Sequence, residues 1–456
     1  MTPEPDRAPE KETAIARFFQ FRQLQTDFRT EIMAGVTTFV TMAYILAVNP
    51  DILSAAIFLE TPGDLFGEIA IATALSAAIA TLIMGLYAKY PFALAPGMGL
   101  NAYFAFTVVL KQGISWRVAL AAIFIEGLIF IALTFGNIRA QIVTAIPASI
   151  KHATAAGIGL FIAYIALTNT GLIVASEATT TALGDLSQPV ILVSLAGIFI
   201  TAAFVVRRIT GALLWGILAT ALLGWILAIA PWPEAVVALP QLPVDLAGQA
   251  FVGFREIFRG NFGELLTVLF VFLFVDLFDT VGTLTGLGIK TGYIGADGEL
   301  PRASRAFLAD AVGTTVGGIL GTSTVTTYIE SASGISEGGR SGLTAIAVAV
   351  LFLLSTLFIP LLAGIPSFAT APALIIVGVL MMGGVRYIAW DDPAEAIAAF
   401  LTLFIMPLSY SIADGLAAGL IAYPILKTMQ GKFQETTVAM WILAAVFVLK
   451  FVAIGG

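Results

Sequence analysis

The chain has 456 residues, of which 59% are apolar and 11% charged, where soluble globular domains average roughly 45–50% and about 25%. With a mean hydropathy of +0.98 there is too little polar surface to wrap a water-soluble body, so lipid is the solvent, and a soluble enzyme, a nucleic-acid binder and a disordered chain are excluded. The formal charge of -7, from 22 basic and 29 acidic residues, says little about partners until each charge is placed relative to the bilayer, while zero cysteines and one histidine, His152, remove disulfides, thiolate metal sites and multi-imidazole zinc sites.

Residues 1–30 are mostly polar, and the second half sets Arg17, Arg22 and Arg29 among Phe18, Phe19, Phe21, Leu24 and Phe28. This reads as an amphipathic helix on the cytoplasmic face. No short apolar core with a small-residue cleavage site precedes Glu31, so no cleavable signal peptide is expected. From Ile32 onward, apolar runs with short polar breaks predict about fourteen spans, which at about 20 residues each use roughly the number of apolar residues available. They fall near 32–55, 68–88, 91–110, 116–135, 152–174, 190–206 and 212–230, then near 265–288, 303–320, 322–336, 343–362, 372–382, 394–406 and 411–426. His152, at the polar start of its segment, reads as a helix-end residue near the interface. The apolar tail 438–454, interrupted by Lys450, fits either a fifteenth span or an interfacial helix.

Basic residues mark the cytoplasmic side. Lys89, Arg139 with Lys151, Arg207, Arg208, Lys290, Arg302, Arg305, Arg340, Arg386, Lys427 and Lys432 fall on the side of the N-terminal arginines, and the opposite loops near 60–68 and 177–185 are acidic or neutral. Lys111, Arg117, Arg255 and Arg259 are exceptions. Two sets of seven spans enter the membrane from opposite faces, which predicts an inverted repeat. Ile146-Pro147 followed by Ala153-Thr154-Ala155 is echoed by Ile365-Pro366 followed by Ala369-Thr370-Ala371. Between the halves, a proline-bearing amphipathic linker over 231–260 is expected to lie along the membrane surface.

Two segments are broken at membrane depth. Residues 91–101 hold two prolines and two glycines, and 321–331 are too polar for a lipid-facing helix, with β-branched residues that favour an extended strand. In lipid such backbone survives only inside protein or along a cavity. Interrupted segments at matching positions in two halves point to a transporter's binding site. The plainer alternative, a loop and a small-residue helix contact, does not account for Glu330. An extended piece followed by a half-helix leaves backbone N–H donors and a positive dipole end for a ligand's acceptor atoms.

Ionisable residues inside spans default to a functional reading; the candidates are Glu126, Asp276, Asp279, Asp310, Glu330 and Asp414. Asp276 and Asp279, three apart, are expected to share roughly one helix face and, being close, to favour holding a proton between them. Glu126, Asp310 and Asp414 read as packing or helix-end residues, and Glu337 with Arg340 as a solvated pair. A carboxylate beside free amides suits a planar, mostly neutral heterocycle whose ring N–H groups it accepts. An anionic substrate would need Arg or Lys at depth, and the binding segments have none.

At these residues the chain resembles the nucleobase-ascorbate transporter superfamily, specifically its AzgA-like purine permeases. The matching stretches are 42–50 (Met42-Ala43-Tyr44 to Asn49-Pro50), 95–104 (Ala95-Pro96-Gly97 to Phe104), 276–280 and 326–331 running on to 339–344; the likeness spans about 17–427. The resemblance implies an all-α polytopic membrane protein of about fourteen segments in two inverted repeats of seven, with short extended strands in the third and tenth segments. It implies a core domain over 31–140 and 262–363 and a gate domain over 141–232 and 364–430, joined by the linker 233–261, with residues 1–30 cytoplasmic and 431–456 outside the common plan. It further implies import of adenine, guanine or hypoxanthine with protons across the cell membrane, usually as a homodimer, with no cofactor and no metal.

By similarity the substrate-binding acids fall on Asp279 and Glu330 and the third-segment amide on Asn101, the choice of Asp279 over Asp276 resting on the Thr280-Val281-Gly282 that follows. Tyr328, Ile329, Thr283 and Ala95 complete the implied binding set, and Glu330, Asp279 and Asp276 the implied proton-coupling set. A transporter of the same fold for uracil, xanthine or a small anion, coupled to protons or Na⁺, is the competing reading. An intramembrane aspartyl hydrolase is disfavoured, since both aspartates lie on one helix and no Gly-x-Gly-Asp occurs. The segment 286–291 matches a P-loop only superficially, because Ile289 separates glycine from lysine.

Overall fold

The computed structural model describes residues 13–135, 147–257, 262–294 and 300–454. Arg139, Ile146 and Arg259, used above for orientation and for the repeat, lie outside the described residues. In chain order the elements are α1 (Ala14–Phe18), α2 (Phe21–Leu24), α3 (Phe28–Met42), α4 (Ile45–Ser54), α5 (Phe66–Ile83), β1 (Leu94–Pro96), α6 (Met98–Ala102), α7 (Trp116–Phe135), α8 (Ala148–Asn169), β2 (Ile173–Ser176), β3 (Thr180–Leu183), α9 (Pro189–Val206) and α10 (Ala212–Ile226). Then follow α11 (Gln249–Ile257), α12 (Phe262–Thr291), α13 (Ala303–Leu320), β4 (Val325–Thr327), α14 (Ser331–Ser336), α15 (Gly342–Ser355), α16 (Ile359–Ala363), α17 (Ser367–Met381), α18 (Pro393–Ser409), α19 (Ile412–Met429) and α20 (Val438–Ile454). Wider π-turns continue α5 to Ala88 and α6 to Lys111.

Among the described residues nine helices are long and apolar enough to cross a membrane, and Met98–Lys111, Ala212–Ile226, Pro393–Ser409 and Val438–Leu449 are shorter apolar helices. The chain is therefore a helical polytopic membrane protein. Two helices start earlier than hydropathy predicts. α8 begins at Ala148, directly after Pro147, so His152 lies a full turn inside the helix rather than at its end. α17 begins at Ser367 with Pro372 inside it. Proline cannot donate to the carbonyl four residues back, and Ser194 Oγ donates to that Phe368 carbonyl at 3.3 Å instead.

The expected linker makes specific contacts with the helices. Its helical part, α11, packs against α7: Arg117 Nε donates to Gln249 Oε1 at 2.8 Å, and Gly253 comes so close to the Arg117 carbonyl that a Cβ would stand 2.0 Å from it. At the N-terminus, Ala16, Phe19 and Phe21 bury against Leu343 and Ile346, and Lys89 Nζ donates to the Phe18 carbonyl at 3.1 Å. The tail forms one helix, α20, whose buried Phe447 meets Phe270 edge-on at 5.4 Å.

Glycines let helices approach where side chains could not. α8 and α17 cross at Gly159 and Gly378, each backbone carbonyl lying under 3 Å from where the other's Cβ would stand. The expected Glu337–Arg340 pair gives way to a different arrangement. Arg340 Nη1 donates to the carbonyls of Ile335 at 2.6 Å and Gly339 at 2.8 Å, capping the end of α14. Glu31, fully buried, accepts from the amides of Arg340, Ser341 and Thr344 and from the Thr344 hydroxyl at 2.5 Å. It thereby supplies the negative charge that the N-terminus of α15 favours.

Candidate functional site

The two broken segments meet. β1 and β4 pair antiparallel with Leu94 opposite Thr327, Ala95 opposite Thr326 and Pro96 opposite Val325. Two three-residue strands leave outer edges that lipid cannot satisfy, and each edge is closed by a threonine of a neighbouring helix. Thr81 of α5 accepts from the Leu94 amide at 2.9 Å and donates to its carbonyl at 3.1 Å. Thr314 of α13 does the same for Val325, at 3.2 and 3.0 Å. The pairing extends at both ends, Gly97 N donating to the Thr324 carbonyl and Tyr328 N to the Ala93 carbonyl, each at 2.9 Å. Side chains lock the junction: the Ala93 amide donates to Ser331 Oγ at 3.0 Å, and Ser323 Oγ donates to Asn101 Oδ1.

Glu330 stands at the exit of β4, half-buried at the start of α14. Tyr44, 1% exposed in the break between α3 and α4, donates its hydroxyl to Glu330 Oε1 at 2.9 Å. Tyr328, 6% exposed, donates its hydroxyl to the Pro96 carbonyl at 2.5 Å, so both tyrosines brace the strand pair.

Asp279 faces a cavity of about 530 Å³ between α12 and α8, whose lining includes Gly99, Lys151, His152, Phe278, Asp279 and Thr283. Thr283 lies on the same lining, one turn along α12 from Asp279. Asp276 is not on that wall. It is fully buried and accepts from Thr280 Oγ1 at 3.2 Å; the same hydroxyl reaches Asp310 Oδ1 at 2.9 Å and Thr326 Oγ1 at 3.0 Å. Three residues apart, the two aspartates are offset by about 60° around the helix, and the cavity's edge falls within that offset. Glu126 likewise packs, accepting from Thr324 Oγ1 at 2.7 Å. Asp414 sits in the first turn of α19 with Lys111 Nζ at 3.2 Å.

The other expected ligand residues divide. Asn101 is fully buried, tied to Ser323, while its neighbours Gly99 and Leu100 line the cavity. Ala95 is fully buried within β1, and Ile329 is 54% exposed beside Gly286 of α12. Two residues not placed in the binding set from sequence join the site. Tyr44 left a faint signal in the helix-breaking neighbourhood of Pro50. Lys151 left none, because it lies on a helix remote in sequence from both broken segments, and hydropathy places it only near a span end.

Between α4 and α17, Thr370 Oγ1 donates to Asp51 Oδ2 at 2.5 Å beside a second cavity of about 360 Å³.

Residues 29–418 match the model of a permease family. The chain is 45% identical over 438 residues to the guanine/hypoxanthine permease PbuG of Bacillus subtilis, covering 95% of this chain and 99% of that protein. It is 40% identical over 445 residues to the adenine permease AdeP of Escherichia coli, covering 96% of each. The fold is similar to the transmembrane domain of the bicarbonate transporter BicA from a cyanobacterium, with a TM-score of 0.59, 17% identity and coverage of 88% of this chain and 98% of that one.

Proposed function

The chain belongs to the permease family, a family of transporters and not of enzymes, and on that premise we propose that it imports purine nucleobases, adenine, guanine or hypoxanthine, together with protons. The observation that carries this reading is two acids next to the paired strands, Glu330 just after β4 and Asp279 beside Thr280, whose hydroxyl meets Thr326 of β4. Glu330, held by Tyr44, leaves the paired strands, and Asp279 faces the adjoining cavity. Carboxylates accept the ring N–H groups of a planar base, and the surrounding apolar lining receives its faces. One of the two acids carries the coupling proton in this reading. Asn101, Tyr328, Ala95, Ile329 and Thr283 complete the binding set in this reading, and Asp276 serves the coupling.

Transport then proceeds by alternating access of an elevator kind, in which the core, 31–140 with 262–363, carries the site past a gate, 141–232 with 364–430. Fourteen segments in two inverted sevens would let the core be built from both halves, and the matched threonine clamps of β1 and β4 support such a plan. We place the protein as a homodimer in the cell membrane with a cytoplasmic N-terminus.

The test is uptake of labelled adenine, guanine and hypoxanthine by cells expressing the chain, with unlabelled purines, uracil, xanthine and sulfate as competitors. Purines are expected to compete and sulfate not to. Accumulation should collapse with a protonophore and not depend on external Na⁺, and Glu330→Gln should abolish it. No purine accumulation above background, or full uptake by E330Q, overturns the reading.

A further inference from the structure

The cavity that receives Asp279 has a cation on its opposite wall. Lys151 and His152 of α8 face into it, and among its described lining residues the ionisable ones are Lys151, His152 and Asp279. A lysine near the end of a membrane helix ordinarily extends its charge outward to water. The Lys151 ammonium instead lies 5.8 Å from the centroid of the Phe278 ring, on the residue that precedes Asp279. The chain therefore puts a positive group and an acid on the lining of one cavity, the positive group on a helix that a moving core would leave behind.

Resting on the purine-carrier reading above, we propose that Lys151 is the residue that promotes release of the base. A carboxylate that accepts ring N–H groups is also the natural partner of an ammonium. When Asp279 stands opposite α8, the ammonium competes with the base for that carboxylate and then balances its charge once the base has left. When the core carries Asp279 to the other face, Lys151 remains on α8 and the competition ends. Binding is weakened on one side of the membrane only, the side on which Lys151 stands, cytoplasmic by the distribution of basic residues. Thr283 and Thr285 on the same wall offer hydroxyls along the exit but no charge.

The full chain, reconstituted in liposomes of controlled sidedness, tests this with hypoxanthine, guanine and adenine as probes and wild type, Lys151→Gln, Lys151→Met and Lys151→Arg compared. In K151Q and K151M the half-saturation concentration measured from the cytoplasmic face is expected to fall about threefold to fivefold, the worth of an ion pair in a water-filled cavity, while the value from the external face stays unchanged and K151R behaves as wild type. Equal changes on both faces, no change on either, or K151R resembling K151Q overturns the proposal while leaving the purine reading intact. A wild-type chain that moves none of the three bases overturns the purine reading itself, and Lys151's role with it.

Discussion

Tyr44 and Glu330, 286 positions apart in the chain, are joined by a hydrogen bond of 2.9 Å from the phenol to the carboxylate. The tyrosine sits where α3 ends and α4 begins, a break that lets its ring point across to the strand pair instead of along a helix face. Tyr44→Phe keeps the ring and removes only this bond. A hydrogen bond to a charged acceptor is worth about 1.5–3 kcal/mol, so purine uptake is expected to lose roughly tenfold or more in rate over half-saturation, with expression and melting temperature near wild type. Unaltered uptake kinetics in Y44F would remove Tyr44 from the site.

Glu31 is a structural counterpart at the other end of the same body. Its carboxylate takes the amides of Arg340, Ser341 and Thr344 together with the hydroxyls of Thr26 and Thr344. Glu31→Ala leaves buried donors without an acceptor and is expected to cost about 2–4 kcal/mol, with Glu31→Gln costing about half as much. Thermal unfolding of the detergent-purified protein reads this directly. Melting curves for E31A that overlay those of wild type would contradict the capping role.

At the crossing of α8 and α17, backbone lies against backbone. A Cβ on Gly378 would stand 2.5 Å from the Gly159 carbonyl, and one on Gly159 would stand 2.7 Å from the Gly378 carbonyl. Gly378→Val must push the helices apart or break the contact, an overpacking penalty of about 1–3 kcal/mol or more. The expected outcome is a broadened or aggregated profile on size exclusion, with Gly383→Val, where a Cβ meets nothing within 4 Å, as the tolerated control. Equal behaviour of the two variants would show that this crossing tolerates separation.

The end of α19 is held to the start of α18 by charge. Lys427 Nζ lies 2.9 Å from Asp392, 3.0 Å from Glu395 and 2.7 Å from Glu435, so an ammonium fills the point where three carboxylates converge. Asp392 also accepts from Lys432 and Gln430, and these donors, Lys432 foremost, with Lys427, hold its carboxyl well below the usual carboxylate range. A group whose folded value is depressed contributes stability above its unfolded value, about 4, and loses it as pH falls toward the folded value. Protease resistance near 430–436 should therefore be flat from neutral pH down to about 4 and decline below it. Asp392→Asn should weaken it at neutral pH and flatten the decline; an unchanged acid profile in D392N would assign that decline elsewhere.

Much of this protein is legible in its sequence. Composition determined the solvent, because 11% charge cannot clothe a soluble chain of this length. The prolines and glycines of 91–101 and the β-branched run 321–331 marked where helix had to fail, and the paired strands Leu94–Pro96 and Val325–Thr327 lie inside those segments. Such signals are local: they depend on the backbone preferences of a few adjacent residues. What tertiary structure alone decided is direction and company. The motif after Asp279 singled it out from Asp276 by resemblance, but it is the position of α8 and β4 around α12 that sends one into a polar knot with Thr280 and Asp310 and the other to the cavity. Tyr44 and Lys151 reach the site from helices far away in sequence, and a side chain's partner across such a gap is set by how helices pack, which no periodicity within either helix encodes.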